Sequence, residues 1–600
     1  MAEEILYPIR DENGERSQYK PSSEEKLVID RAMNMFSVAR RSKKDVMKNW
    51  REAEDLYSGD HWKGFNLPEY KNQMTLDLIA SAIDTMVPIL STRPPKIDVI
   101  AYGNSDQDKA IAETMQGVLD ELWTVRDMTS VIPEWLLDFL IYGTGIVKVH
   151  FRGEDDLPDC DVVDPYAFYV NPSATKLENA EYVIYSAPTP LHEIREKYEN
   201  GKYVAPESNL GEFEALKLYT ETDDDNFSKK KSSLKSDTGA GYFVKDEGQT
   251  FKELENRALL IEVLIKEGTK TKMITIANGV LLYEGEYKYP FFNRDNGLSN
   301  PFPYVVLKNS GSAHSFWGKP EPKRLKAINL AMDTISSQVL DNIALTANPM
   351  WVVDETSQVT DQITNRPGSI IRKKGPGQVS MQSPASVPGY VFNYYSLLMD
   401  SFEIVSGVNR STQGRADTNV TSGVQAQVMR QASTTKIEFK SRIVDKGIQQ
   451  LGQMWLMMFL NLGNKIHWVS VTDPDGVSEM RDIIGTAFKD RKMAVKAKSG
   501  SMLPENRQFV ENKLMQLAQM GIITDQEYLL EHMELPGKER LLNKMKEMKE
   551  QQMMAQQQAQ QQQQQQAPSP ESMGEDPEAI MRELQANPEL INQMNGQPPE

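Results

Sequence analysis

Apolar residues recur every three or four positions over several long stretches of this chain. Those stretches alternate with short period-two runs bounded by Gly and Pro. Ser23 to Ser58 reads as a charged amphipathic helix. "NQMTLDLIASAIDTMVPILSTRPPKIDVI" keeps helical spacing as far as Leu90. There "TRPP" ends the helix, because proline lacks an amide and clashes with the preceding turn. "KIDVIAY" then alternates like a strand. A helix from about Ser105 to Val125 leads into "PEWLLDFLIYGTGIVKVHF", where a helix meets Gly143 and Gly145 and becomes the strand Ile146–Phe151. Further strands are expected at Tyr182–Ser186, Ala258–Lys266, Met273–Ala277 and Tyr304–Leu307. Glu221–Gly248, with its acidic and lysine runs, reads as an exposed, mobile insertion.

The second half changes character after Gly318. Leu325, Ile328, Met332, Ile335, Val339 and Ile343 form one apolar stripe along roughly 35–40 Å of helix, which Asn348–Pro349 ends. Met350 to Gly389 reads as short strands with Pro and Gly, and "YVFNYYSLLMDSFEIVSGV" returns to helix. The polar stretch "SGVNRSTQGRADTNVTSGVQAQ", Ser406 to Gln427, runs into a helix from about Gly423 to Leu462, on the order of 60 Å long. "KIHWVSV" reads as a strand and "DPDG" as a turn. Glu505 to Gln566 is helical in pattern, with Thr524 and Glu527 spaced as a capping box, and ends in polyglutamine. Beyond Ala567 the composition predicts disorder, with a short helix near Pro577–Leu584. The sum is an α+β chain.

Composition narrows the function classes. The chain has 600 residues, 39% hydrophobic and 25% charged, enough for several domains. Its formal net charge of -18 argues against tight, non-specific wrapping of nucleic acid, which needs a basic surface. Contact with DNA that must not stick is still compatible with it. Cys160 is the single cysteine, so no internal disulfide forms, and the six histidines lack zinc-ligand spacing. The N-terminus is too polar for a signal peptide, and "WLMMFLNL" is too short for a membrane span. A soluble protein made in the cytoplasm is expected.

Catalytic motifs do not emerge. In "GSAHSFWGK" the glycines stand too far apart for a nucleotide loop, and Pro320 sits where Ser or Thr would bind magnesium. "YGTGIVK" reads as helix-to-strand punctuation rather than a nucleotide site. "GEDDLPDCDVVD" reads either as a solvated hairpin or as carboxylates for a divalent ion. Asp223–Asp225 lacks the glycine and ligand spacing of a calcium loop. No Gly-x-Ser-x-Gly elbow occurs, Cys160 has no histidine near it in sequence, and His150 reads as a satisfied core histidine. No catalytic residue, metal or cofactor is expected.

The order of these parts resembles the portal proteins of tailed bacteriophages over roughly Ser23 to Glu550. The residues that carry it are "NQMTLDLIASAIDTMVPILSTRPPKIDV", "DFLIYGTGIVKV" with "DVVDPYAFYVNPSA", "PFPYVVLKNSGSAHSFWGKPEPKRLKAINLAMDTISSQVLDNIALTANPMWVV", and "SGVNRSTQGRADTNVTSGVQAQ". The resemblance implies a portal fold with a mixed α/β wing (1–317), a first stem helix (318–349) and a β-rich clip (350–389). A second stem helix (390–405) and a tunnel loop (406–422) follow. The long wing helix with C-terminal wing strands takes 423–500, a helical crown ending in polyglutamine 501–566, and a disordered tail 567–600. It also implies a ring, usually of twelve copies, at one capsid vertex of the virion. Double-stranded DNA is packaged through the ring by the terminase motor, whose large subunit docks there, and leaves through it at infection. The implied further partners are the head–tail adaptor and the major capsid and scaffold proteins; no membrane is involved.

Two groups of residues follow from that mapping. Asn409, Arg410, Ser411, Thr412, Gln413, Arg415 and Asn419 would line the channel, with two arginines against Asp417, unless they form only a solvated helix connection. In "IIRKKGPG", Arg372, Lys373 and Lys374 would dock an acidic partner or steer exiting DNA, or form only a soluble hairpin tip. Two rival readings are kept. One is another ring-forming virion component, such as a head–tail adaptor or internal head protein. The other is a nucleic-acid-processing enzyme with a degenerate nucleotide site at Gly311–Lys319.

Overall fold

The computed structural model describes residues 19–497, apart from 69, 92–96, 104, 206–256, 269, 288–301, 311–312, 348–349, 360–371, 383–385, 409–422, 473–477, 490 and 492, together with 518–520. Of 423–435 only the backbone is described. The chain divides into two units, Met1–Pro504 and Glu505–Glu600. The insertion at Glu221–Gly248, the tail beyond Ala567 and nearly all of the segment read as a crown fall outside the described residues.

Helix α1, Ser23–Tyr57, starts at a capping box: Glu25 N donates to Ser22 Oγ at 3.1 Å, and Ser22 N donates to Glu25 Oε2 at 2.8 Å. Its buried face repeats at helical spacing through Phe36, Ala39, Lys43, Met47, Trp50 and Ala53. Helix α2, Leu78–Ser91, ends before the Pro-Pro pair as its sequence requires. Strand β1, Ile97–Ala101, leads to α3, Asp106–Val125, and α4, Met128–Ile141. Gly143 follows with φ +76°, the left-handed turn that lets β2, Thr144–Arg152, reverse onto α4. A Cβ there would lie 2.4 Å from the Lys319 carbonyl carbon, so close backbone approach also requires glycine.

Strand β2 is the centre of a three-stranded antiparallel sheet between β3, Leu157–Val163, and β9, Tyr304–Lys308. A five-stranded antiparallel sheet runs β4 (Phe168–Val170), β5 (Tyr182–Pro190), β6 (Arg257–Glu267), β7 (Lys270–Ala277) and β8 (Val280–Glu286). One face of it packs on the first half of α1: Ile29, Ala32 and Phe36 of the helix meet Tyr169, Ile184, Val263 and Ile274 of the sheet. The short α5, Leu191–Lys197, covers the other face with Leu191 and Ile194.

Three long helices complete the first unit: α6, Glu321–Ala347; α7, Gly389–Ser406; and α8, Gly423–Leu462. Between α6 and α7 lies the two-stranded pair β10, Met350–Val353, and β11, Val379–Gln382. After α8 come β12, His467–Thr472, β13, Ser478–Ile483, and β14, Met493–Ala497, which pairs with β1 from the other end of the unit's sequence (Ile97 opposite Ala497). The principal core gathers α2, α3, α4 and α8 from Ile437 onward, where Ile437, Val444, Leu451, Trp455 and Phe459 are buried. This is a mixed α and β architecture. No described helix is long and apolar enough to cross a membrane.

Several expectations change. "GEDDLPDCDVVD" forms the hairpin turn between β2 and β3 together with β3 itself, but its carboxylates are not simply solvated: they clamp other side chains and backbone amides. Asp155 Oδ2 lies 2.8 Å from Arg126 Nη2, Asp159 Oδ2 lies 2.8 Å from Arg152 Nη2, and Asp156 Oδ2 accepts from the amides of Asn464 and Lys465 at 2.6 and 2.7 Å. His150 is not a core residue; it is partly exposed with Nδ1 3.4 Å from Asp161 Oδ2. The apolar stripe of α6 divides in two. Leu325 and Met332 are fully buried, whereas Ile343 is 56% exposed.

Candidate functional site

The helical hairpin of α6 and α7, the β10–β11 pair at its end, and the start of α8 form the candidate site. Its root is fixed by charge. Glu321, at the first turn of α6, lies 2.9 Å from Lys440 Nζ of α8, and Asn309 Nδ2 donates to the same carboxylate at 3.0 Å. Burial opposes the charge on Glu321, but the Lys440 ammonium and the Asn309 hydrogen bond outweigh it, so its pKa falls below the ordinary value. Removing either partner of such a pair strands a buried charge, which makes this joint stiff. A second tie holds α7: Gly407 ends it in the left-handed conformation, and Lys436 of α8 donates to the terminal carbonyls of Ile404 and Val405.

Away from that root the hairpin is apolar and exposed. In α7 only Phe402 and Ser406 are buried, while Tyr390, Phe392 and Leu397 are 72%, 58% and 58% exposed. Ile343, toward the far end of α6, is exposed as well. A run of exposed aromatic side chains along a helix marks a surface built to be covered.

Of the residues singled out in sequence, Arg372, Lys373 and Lys374 stand exposed on the strand-like segment before β11. Lys373 bridges to Val359, its Nζ donates to Gly377 O at 3.2 Å, and Gly375 N donates to Ser357 O at 2.9 Å. Gly375 is required there, since a Cβ would lie 1.9 Å from Thr356 O. The three cations are therefore carried on a tightly packed turn. Asn409, Arg410, Ser411, Thr412, Gln413, Arg415 and Asn419 lie outside the described residues. The segment that holds them is bounded by Val408, which is buried, and by the first turn of α8.

The described part of "GSAHSFWGK", residues 313–319, contributes packing. Phe316 and Trp317 pack edge to face, and Gly318 N donates to Thr144 Oγ1 at 2.9 Å. A Cβ on Gly318 would lie 1.9 Å from Gly143 O. Among the described residues no group of three or more His, Cys, Asp or Glu side chains is placed to hold a metal. Sequence reasoning missed the buried polar groups Lys43, His61, Asp333 and Lys440. Lys43 and Lys440 each occupy a core position of a helical face, and that phase was the one available signal.

No curated protein matches the chain. Among solved structures, a chain of "Neck of native GTA particle computed with C12 symmetry" is similar at 8% identity and a TM-score of 0.36, over 76% of this chain and 89% of that one. The family model described as phage SU10 portal protein matches residues 152–569, which include β3 to β14, α6, α7 and α8. With well over half of its length so matched, the chain belongs to the phage SU10 portal protein family.

Proposed function

We propose that this protein is the portal subunit itself: a ring-forming channel protein at one capsid vertex, through which a terminase motor packages double-stranded DNA and the DNA later leaves. It acts as a conduit and platform rather than an enzyme. Family membership supports the class. The observation that carries the assembly is the exposed aromatic face of α7 beside the exposed end of α6, on a hairpin whose root is locked by Glu321, Lys440 and Lys436. A second copy of the chain would cover that face, and repetition of a head-to-tail contact closes a ring.

In this reading α6 and α7 are the stem helices and the β10–β11 region is the clip. The 406–422 segment is the tunnel loop, α8 the wing helix, and 501–566 the crown. Arg372, Lys373 and Lys374 face the terminase large subunit or the head–tail adaptor, and the capsid and scaffold proteins meet the wing. Electron microscopy of the purified protein tests the proposal. Rings, twelve-fold in the expected case, with an axial hole support it. Monodisperse monomers under every assembly condition overturn it.

A further inference from the structure

Residues 72–77 approach α2 in an extended conformation along α6. The amides of three alternate residues each donate to an α6 side chain. Asn72 N meets Asp341 Oδ1 at 3.0 Å, Met74 N meets Ser337 Oγ at 2.9 Å, and Leu76 N meets Asp333 Oδ1 at 2.9 Å. Asn329 Nδ2 adds a bond to Leu76 O at 3.1 Å. The α6 groups are four residues apart. Four helical residues rise about 6 Å, and two extended residues span about 6.6 Å, so the rungs stay in step. The strap is thus docked through its backbone.

His61 stands at the inner end of this ladder, and both it and Asp333 are 0% exposed. Its Nδ1 lies 2.6 Å from Asp333 Oδ2, and its Nε2 lies 3.0 Å from Leu56 O. Both oxygens accept only. Either neutral tautomer would turn a lone pair on one of them, whereas the imidazolium donates to both. Asn329 Nδ2 donates to the same Asp333 Oδ2 at 3.0 Å and lies 3.2 Å from Nδ1. Burial pulls the pKa of His61 down. The hydrogen bond and charge of Asp333, the Leu56 carbonyl and the charge of Asp77 outweigh that, and the pKa is raised. The charged groups acting on the ring are therefore Asp333 from α6 and Asp77 from the strap, while α1 contributes the Leu56 carbonyl.

We propose that His61 is a proton-operated latch: as the imidazolium it ties the end of α1 to Asp333 and holds the 72–76 strap on α6, and its deprotonation releases the strap. The folded-state pKa is raised, so the latch is fully closed below the ordinary histidine value. It opens as pH rises through the folded value.

Hydrogen exchange by mass spectrometry on the full-length protein, from about pH 6 to about pH 9.5 and corrected for base catalysis, tests this. A latch that titrates loses up to about tenfold in protection per pH unit between the ordinary histidine value and its raised folded value. The strap peptide covering 72–77 should lose at least that much across the range, while peptides of β6 keep their protection. In His61→Gln, which cannot titrate, strap protection should be independent of pH. Strap protection that stays constant in the wild type overturns the proposal, as does a fall in His61→Gln equal to the wild type's. Should that variant not fold, Ser337→Ala removes one rung and spares the latch. It should lower protection at every pH while keeping the wild-type pH dependence, and loss of that dependence would count against the latch.

Discussion

Lys43 is an ammonium group 1% exposed on α1, and it donates to the carbonyls of Pro165, Tyr166 and Phe168 at 2.6, 2.9 and 2.7 Å. The rings of Trp50, Tyr169 and Trp317 surround it, the nearest centroid 4.1 Å away, so cation–π attraction adds to the hydrogen bonds. Two of the carbonyls belong to the turn that joins β3 to β4 and the third to the first residue of β4, and Lys43 ties that turn to α1. Lys43→Met keeps the length and removes the donors. It should lower stability by on the order of 3 kcal/mol, because buried carbonyls are left unpaired. Denaturant unfolding measures it, and a change below about 1 kcal/mol would show that the aromatic packing alone holds the turn. Nothing in "ARRSKKDVMKNW" distinguishes this lysine from its exposed neighbours except its helical phase with Phe36, Ala39 and Met47. His61 and Asp333 are 272 residues apart in sequence, and their pairing is set by the packing of α1 on α6, which no local pattern encodes.

At the level of elements, local periodicity identified α1, α3, α6, α7 and α8 and the central strands, because each carries its own apolar face. Pairings were not legible. β14 joins β1 from the far end of the unit's sequence, and β8 hides behind the Asn278–Gly279 turn, whose positive φ angles close a hairpin. The polar ladder on α6 was also invisible, since Asn329, Asp333 and Ser337 look like an ordinary solvent face until residues 72–76 cover them. The β10–β11 element carries its own prediction. Its backbone is held mainly by the Gly375–Ser357 and Asp354–Gln378 contacts, to which Lys373 Nζ adds a single bond to Gly377 O. Reversing all three to Glu should therefore leave the turn folded. It should reduce docking of an acidic partner, or packaging, by about tenfold or more, since charge reversal of a rim patch acts on association rate. An unchanged rate would remove the cations from any docking role.

For the whole molecule the decisive balance is between grip and passage. Duplex DNA carries one charge per about 1.7 Å, and a protein making roughly 6–10 phosphate contacts gains orders of magnitude in affinity. A ring of strongly basic loops would therefore brake the DNA it encloses. Here the proposed channel segment sets Arg410 and Arg415 against Asp417 in a chain of net charge -18. Each subunit's segment is then near +1, enough to follow a phosphate backbone and too little to trap it. Arg410→Glu with Arg415→Glu changes that value by four charges, to about -3 per subunit, without touching the ties at Glu321, Lys440 and Lys436. Rings should still assemble, judged by electron microscopy. Packaging should slow or retention of DNA in filled particles should weaken, and the difference from the wild type should shrink at high salt because the repulsion is screened. Rings that package and retain DNA as the wild type does would mean that these arginines never meet the duplex. The channel's indifference to DNA would then rest on the neutral Ser, Thr and Asn side chains of the same segment.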